Sequence, residues 1–173
     1  AHGALIAMPP YTKPTQAGIV AHFTAIAEAA PGLPLIAYNV PGRTGVNLTA
    51  ATVRELWRIP AVVALKESSN DLMQISQIAN ELPTGKTLLA GDDALLLPTI
   101  AVGAQGIVSV AGNIVPGPMR DLLMAARASD LEAAQQQFAT LQPLFEALNL
   151  EPNPIPIKAA MALAGMALYA EVS

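Results

Sequence analysis

The stretch Ala61–Ser69 reads Ala-Val-Val-Ala-Leu-Lys-Glu-Ser-Ser, and the organisation of the chain follows from it. The residues before Lys66 are Ala, Val and Leu, which is typical of a short strand buried on both faces of a parallel sheet. Lysine is rarely placed at the end of such a strand without a function. Burial favours the neutral amine, which attacks carbonyl groups to form Schiff bases. A lysine whose ammonium group simply reaches water is the alternative interpretation.

Apolar runs alternate with helical patterns on both sides of this strand. Helices are predicted from Thr15 to about Ala30, from Thr49 to about Trp57, over Asp71–Leu82 and after Asp92-Asp93, with Asn39–Gly45 as a loop. Regular alternation of strands and helices indicates parallel βα units. The predicted strands are Gly3–Met8, Leu35–Tyr38, Val62–Lys66, Thr87–Ala90 and Gly106–Val110.

The pattern changes after Gly112, where no further strand is predicted. Three helices are expected instead, at Met119–Arg127, Leu131–Leu148 and Ile157–Tyr169, with Asp130 capping the second. We therefore divide the chain into an α/β part, residues 1–129, and a helical tail, residues 130–173. A complete (β/α)8 barrel takes about 250 residues, so 173 residues hold either the C-terminal portion of a barrel or a complete doubly wound sheet. The abrupt apolar start favours the barrel and an N-terminus further upstream.

Composition excludes several classes of site and partner. A net charge of −4 argues against nucleic acid as the main partner, and the absence of cysteine excludes thiolate metal sites. No apolar segment reaches the roughly 20 residues that a membrane-spanning helix needs. His2 and His22 have no partners at metal-binding spacing. A hydrophobic content of 53% with only 13% charged residues predicts surface that is buried in an oligomer or against further chain.

Polar residues cluster where the predicted strands end. This edge is the catalytic face of a barrel and the binding edge of an open sheet. Arg43 could bind a carboxylate in a bidentate pair, Lys66 could be the nucleophile and Tyr38 could move protons. For Asp92-Asp93, a helix cap is favoured over a pair of acid–base carboxylates. The strand-end residues are Tyr11, Tyr38, Arg43, Lys66, Glu67, Ser68, Gly91, Asp92 and Ser109.

Two blocks at a fixed separation carry a specific resemblance. Tyr38–Gly45 and Ala64–Ser68, with Lys66 28 positions after Tyr38, resemble the dihydrodipicolinate synthase family of pyruvate-dependent Schiff-base aldolases. The resemblance extends over essentially the whole chain. The family's early glycine-rich segment and its Thr-Thr pair have no match here, as expected for the C-terminal portion of a barrel. Further matching segments are Pro10-Tyr11, Gly91–Asp93, Gly106–Val110 and Glu151–Lys158, the last pointing to the synthases rather than the lyases.

The resemblance implies a role for each matching residue. Lys66 would form the imine with pyruvate, and Tyr38 would relay protons beside it. Tyr11 would enter the site of a neighbouring subunit. Arg43 would bind the carboxylate of the second substrate, (S)-aspartate 4-semialdehyde. The pyruvate pocket would be lined by Gly91 and Val108.

The expected function is therefore a lyase of lysine biosynthesis that condenses pyruvate with aspartate semialdehyde to 4-hydroxy-tetrahydrodipicolinate. Neither a metal nor an organic cofactor is expected, because the lysine itself serves as electron sink. The resemblance also implies a cytoplasmic homo-oligomer, a dimer of dimers, without nucleic-acid or membrane partners. Two alternatives stay open: an aldolase of the same superfamily acting on a keto-sugar acid, and a non-catalytic half-barrel module. Arg43 argues against the sugar-acid aldolase, because it fits a second carboxylated substrate.

Overall fold

The computed structural model describes residues 1–166, and a five-stranded parallel sheet lies at its centre. Each strand pairs with the next one along the chain, so the spatial order is β1-β2-β3-β4-β5. A doubly wound sheet reverses its strand order at one point, whereas a barrel does not. The order therefore confirms the predicted part of a (β/α)8 barrel. The strands are β1 (Ala4–Ala7), β2 (Leu35–Asn39), β3 (Val62–Glu67), β4 (Thr87–Ala90) and β5 (Gly106–Ile107).

Eight helices accompany the sheet within residues 1–166, and side-chain caps begin several of them as the sequence predicts. Thr15 accepts from the Gly18 N–H, and Asp130 accepts from the Ala133 N–H at 3.1 Å. Such caps satisfy N–H groups that have no partner inside the helix. The helices are α1 (Gln16–Ala29), α2 (Pro41–Thr44), α3 (Ala50–Leu56), α4 (Leu72–Asn80), α5 (Leu96–Ala101), α6 (Pro116–Arg127), α7 (Leu131–Leu148) and α8 (Ile155–Leu163).

Two predictions about the strand-end loops are wrong. The expected loop over 39–45 contains the helical turn α2, because Pro41 presets the helical φ and Gly45 ends the turn at φ 73°. The strand expected to reach Val110 ends at Ile107, because the Val110 N–H donates to the Asp93 carboxylate instead of a neighbouring strand.

Several helix ends also differ from the prediction. A 3-10 turn, Asp93–Leu95, precedes α5, so the helix expected directly after the two aspartates begins at Leu96. Both α6 and α8 begin earlier than predicted, with a proline in their first turn, where the missing N–H costs nothing. The predicted end of the last helix, Tyr169, lies outside the described residues.

Two apolar cores hold the helices against the sheet. The first lies between β1–β4 and helices α1, α3 and α4, and includes Phe23, Leu35 and Leu65. The second joins the end of β4 to α5–α8, and includes Leu122 and Phe145. The helical tail therefore packs beside the carboxyl ends of β4 and β5, which places it next to the candidate site. No helix within residues 1–166 is long and apolar enough to cross a membrane.

Candidate active site

Strand register brings the predicted nucleophile and the predicted proton carrier together. Tyr38 of β2 lies directly opposite Lys66 of β3, so both side chains point to the same face of the sheet. The Lys66 Nζ lies over the Tyr38 ring, 4.2 Å from its centroid. Lys66 is only 8% exposed. The amine is thus held by a cation–π contact at the end of a buried strand rather than extended into water.

A cavity of about 640 Å³ opens above these two residues. It contains four of the six predicted site residues: Tyr38, Arg43, Lys66 and Gly91. The helical tail forms the opposite wall, so the cavity lies between the strand ends and the tail. The remaining lining residues are Val40, Gly42, Ser68, Asn70, Asp92, Asp93, Val110, Phe145, Leu148, Asn149, Pro152 and Asn153.

Arg43 joins the strand-end side of the cavity to the tail. It lies in the last turn of α2, and its Nη2 donates to the Asn153 carbonyl oxygen at 2.8 Å. A guanidinium group has five N–H donors in a planar fork, and this contact uses one nitrogen. Arg43 forms no ion pair with another described residue. The charge is therefore positioned at the cavity with donors left for a carboxylate.

Gly91 allows β4 to end close beside the lysine. A Cβ atom at this position would lie 1.8 Å from the Ser68 Oγ and 3.0 Å from the Lys66 Cε. The Gly91 N–H also donates to the Glu67 carbonyl oxygen at 2.9 Å. Glycine is required here by close packing, because any side chain would occupy the space of the Ser68 hydroxyl and crowd the Lys66 side chain.

The two aspartates after β4 have separate structural roles. Asp92 caps the 3-10 turn by accepting from the Ala94 N–H at 3.0 Å, which agrees with the predicted helix cap. Asp93 is buried, and its Oδ2 accepts from the N–H groups of Val110 and Ala111. Asp93 therefore fixes the loop after β5 at the cavity wall.

The structure does not bring the other two predicted residues into the cavity. Tyr11 follows β1, has φ 68° and is 94% exposed. Val108 donates its N–H to the Ala90 carbonyl oxygen at 2.9 Å, and Val110 rather than Val108 lines the cavity. Their predicted roles stay predictions.

A buried carboxylate lies directly behind the site. Glu67, the residue after Lys66, is 2% exposed and points to the helix side of the sheet. Burial raises the pKa of the Glu67 carboxyl above its ordinary value of 4.5, and hydrogen bonds from Asn39, Ser69 and Gln74 oppose that shift.

A second cavity and a second lysine lie at the opposite end of the sheet. This cavity, about 620 Å³, is lined mostly by apolar residues around Leu33-Pro34 and Pro60-Ala61. Lys86 donates to the Pro60 and Val62 carbonyl oxygens nearby, and burial lowers the pKa of its amine.

Arg58, which lines this second cavity, is paired with Glu55, and no tyrosine is among its described lining residues. The cavity at the carboxyl ends of the strands combines Lys66 with Tyr38 and with Arg43, which has no ion pair within residues 1–166, and is therefore the better candidate site. No group of three or more His, Asp or Glu residues in the described part of the chain is arranged to hold a metal ion.

The sequence did not identify the contribution of the tail to the cavity. Phe145, Leu148 and Asn149 lie near the end of a long amphipathic helix, where the same pattern would serve any core. A signal did exist for the buried pair behind the site. Asn39 is the residue after Tyr38, and Glu67 is the residue after Lys66, so both pairs are separated by 28 positions. A strand register that places Tyr38 opposite Lys66 therefore also places Asn39 opposite Glu67.

Comparison with known proteins identifies the family of this chain. A model of the dihydrodipicolinate synthetase family matches residues 1–172. The chain belongs to this family. It is 47% identical over 167 residues to the 4-hydroxy-tetrahydrodipicolinate synthase of Synechococcus elongatus, covering 96% of this chain and 56% of that protein. The chain thus spans little more than half the length of such curated relatives.

Solved structures of the family agree. The crystal structure of the dihydrodipicolinate synthase from Aquifex aeolicus superimposes with a TM-score of 0.95 at 39% identity, covering all of this chain and 59% of that one. The structure of a monomeric dihydrodipicolinate synthase variant superimposes with a TM-score of 0.95 at 34% identity, covering 100% of this chain and 58% of that one. The fold of this chain is therefore that of part of the family's barrel.

Proposed function

We propose that the complete protein is a 4-hydroxy-tetrahydrodipicolinate synthase. It condenses pyruvate, held as an imine on Lys66, with (S)-aspartate 4-semialdehyde. The observation that carries this proposal is the arrangement of the Lys66 amine 4.2 Å above the Tyr38 ring, in one cavity with the Arg43 guanidinium. The curated relatives named as this synthase support the choice of substrates.

The first half of the reaction uses the lysine. The Lys66 amine adds to the keto carbon of pyruvate, and loss of one water molecule gives the imine. The imine nitrogen withdraws electrons, so a methyl proton leaves and an enamine forms. Tyr38, in contact with the amine, would move the protons of these steps. No separate cofactor is required, because the imine is the electron sink.

The second half uses the aldehyde. The enamine carbon attacks the aldehyde carbon, and the resulting alkoxide takes up a proton. The amino group of the former aldehyde then attacks the imine carbon and displaces Lys66, which closes the ring and frees the amine. The net reaction converts pyruvate and aspartate semialdehyde into 4-hydroxy-tetrahydrodipicolinate and one water. Arg43 would hold the carboxylate of the aldehyde substrate during these steps.

The proposal extends to assembly and location. Tyr11 is almost fully exposed beside the sheet, as a residue would be that enters a neighbouring subunit's site. We propose a homo-oligomer, a dimer of dimers, that acts in the cytoplasm without nucleic-acid or membrane partners. Light scattering on the purified gene product tests the assembly, and a monomer with full activity would remove the role of Tyr11.

The experiment that tests the function supplies the full gene product with both substrates. Formation of the cyclic product from pyruvate and aspartate semialdehyde is expected, with loss of activity in Lys66→Ala. Keto-sugar acids are supplied in parallel and should not be cleaved, because Arg43 fits a second carboxylate. Cleavage of a sugar acid with no use of the semialdehyde would contradict the proposed substrate.

A further inference from the structure

Two neighbouring pairs of the β2–β3 ladder lie back to back. Tyr38 faces Lys66, and one residue further along Asn39 faces Glu67. Successive side chains of a strand point to opposite sides of the sheet. The first pair therefore faces the cavity, and the second faces the helices behind it, where Asn39 is fully buried and Glu67 is 2% exposed.

Glu67 is held entirely by hydrogen-bond donors. The Asn39 Nδ2 lies 3.0 Å from each carboxylate oxygen, the Ser69 N–H donates at 2.6 Å and the Gln74 Nε2 at 3.3 Å. No lysine or arginine within residues 1–166 forms an ion pair with this carboxylate. Burying an unpaired charge is costly unless donors satisfy it, and an apolar residue would fill the space at less cost. The arrangement calls for a reason other than packing.

Asn39 also connects Glu67 to the loop before α3 and to the chain that follows β3. Its Nδ2 also donates to the Asn47 Oδ1 at 2.9 Å, and its Oδ1 accepts from the Leu48 N–H at 2.9 Å. Its backbone carbonyl oxygen accepts from the Ser68 N–H at 2.8 Å. The end of β2, the end of β3 and the loop before α3 are thereby fixed to one another directly behind the Tyr38–Lys66 pair.

We propose that Asn39 and Glu67 are positioning residues for the imine-forming lysine. Their buried hydrogen bonds fix the register in which the Lys66 amine meets the Tyr38 ring. The inference rests on the proposed function, in which Lys66 attacks pyruvate. A displacement of about 1 Å at a reacting group can reduce a rate about 10²-fold, so loosening this pair should slow imine formation although neither residue touches substrate.

The test exchanges donor and acceptor across the pair in the full gene product. Asn39→Asp places two carboxylates against each other and should slow imine formation with pyruvate by about 10- to 100-fold. In the double variant Asn39→Asp/Glu67→Gln, the amide introduced at position 67 would donate to the carboxylate introduced at position 39. The amides of Asn47 and Gln74 can turn over to complete the network, so most of the rate should return.

A matched control separates positioning from general loss of stability. Thr52 is 5% exposed, and its hydroxyl donates to the Gln16 Oε1 in an adjacent polar cluster between α1 and α3. This cluster meets the Asn39 network only at Asn47, where Gln16 contacts the backbone carbonyl oxygen rather than the side chain, and neither Thr52 nor Gln16 contacts β2 or β3 through a hydrogen bond. Thr52→Val should lower the melting temperature while the folded protein forms imine at the wild-type rate. Rates are compared per folded molecule, with the fraction folded measured by circular dichroism.

A second pair of variants tests the same positioning role if Asn39→Asp does not fold. Glu67→Gln keeps an acceptor for the Ser69 N–H, and Glu67→Met fills the same space without one. Imine formation should be faster in Glu67→Gln than in Glu67→Met.

Wild-type rates in folded Asn39→Asp and Glu67→Met would overturn the positioning role, as would a double variant that regains stability but not rate. In both cases the wild-type imine on Lys66 would still stand. Absence of that imine in the wild-type protein would instead remove the proposed function, and the inference with it.

Discussion

Gly91→Ala tests whether close packing at the end of β4 sets the position of the Lys66 amine. The new methyl carbon would lie 1.8 Å from the Ser68 Oγ, 3.0 Å from the Glu67 carbonyl oxygen and 3.0 Å from the Lys66 Cε. The serine hydroxyl can rotate away, but the carbonyl oxygen belongs to the β3 backbone. The remaining strain must be relieved by moving Lys66 or by separating the strand ends.

The expected cost follows from these contacts. Overpacking of this kind destabilises by about 1–3 kcal/mol. A lysine amine displaced by up to about 1 Å would form imine up to about 10²-fold more slowly. The free energy of unfolding is measured by urea titration, and imine formation by borohydride trapping of pyruvate over time.

Two further variants make the test specific. Ser68→Ala in the Gly91→Ala background removes the closest contact and should recover part of the lost stability. The rate should stay low, because the contacts with the Glu67 carbonyl oxygen and the Lys66 Cε remain. Gly117→Ala is the control, because a Cβ there meets nothing within 4 Å and Gly117 lies in the first turn of α6. A Gly91→Ala protein that forms imine at the wild-type rate would show that packing at Gly91 does not set the position of the Lys66 amine.

Three other substitutions probe separate groups. Arg43→Ala should weaken transition-state binding in the aldehyde step by about 2–4 kcal/mol while leaving the rate of imine formation with pyruvate nearly unchanged. An equal loss in both steps would instead make Arg43 a structural residue that holds Asn153. Tyr38→Phe keeps the ring beneath the Lys66 amine but removes the hydroxyl. Turnover should therefore fall by about 10²–10⁴-fold with little change in the free energy of unfolding. Unchanged turnover would exclude the Tyr38 hydroxyl from proton transfer. Glu67 has a raised pKa in the folded state, so its contribution to stability is fully present below its ordinary value of 4.5 and is lost as the pH rises through the folded value. The unfolding free energy of the wild type, relative to Glu67→Gln, should therefore be greater at about pH 5 than at about pH 7, and urea titrations showing the opposite trend would contradict this.

The sequence predicted the features that depend on periodicity. Every predicted strand is present, because buried parallel strands such as Val62–Glu67 leave a continuous apolar run. The choice between a barrel and a doubly wound sheet was harder, because it depends on which strands are neighbours. The unbroken order of the five strands decided it.

The sequence was less informative where tertiary contacts override local pattern. The sequence Val108–Val110 is typical of a continuing strand. The Val110 N–H, however, donates to the Asp93 carboxylate instead of to a neighbouring strand, so the strand ends earlier. In the site, the strand-end pattern identified Tyr38, Arg43, Lys66 and Gly91. It could not identify Asn149 or Asn153, since their place at the cavity depends on how the helical tail packs.

In the proposed reaction Lys66, and no other lysine, forms the imine. Incubation of the gene product with pyruvate and borohydride should add one reduced three-carbon group, and peptide mass analysis should locate it on Lys66. Lys86 is the strongest competitor, because burial lowers the pKa of its amine, at the opposite end of β3. An adduct on Lys86, Lys13 or Lys158, with Lys66 unmodified, would contradict the proposed role of Lys66.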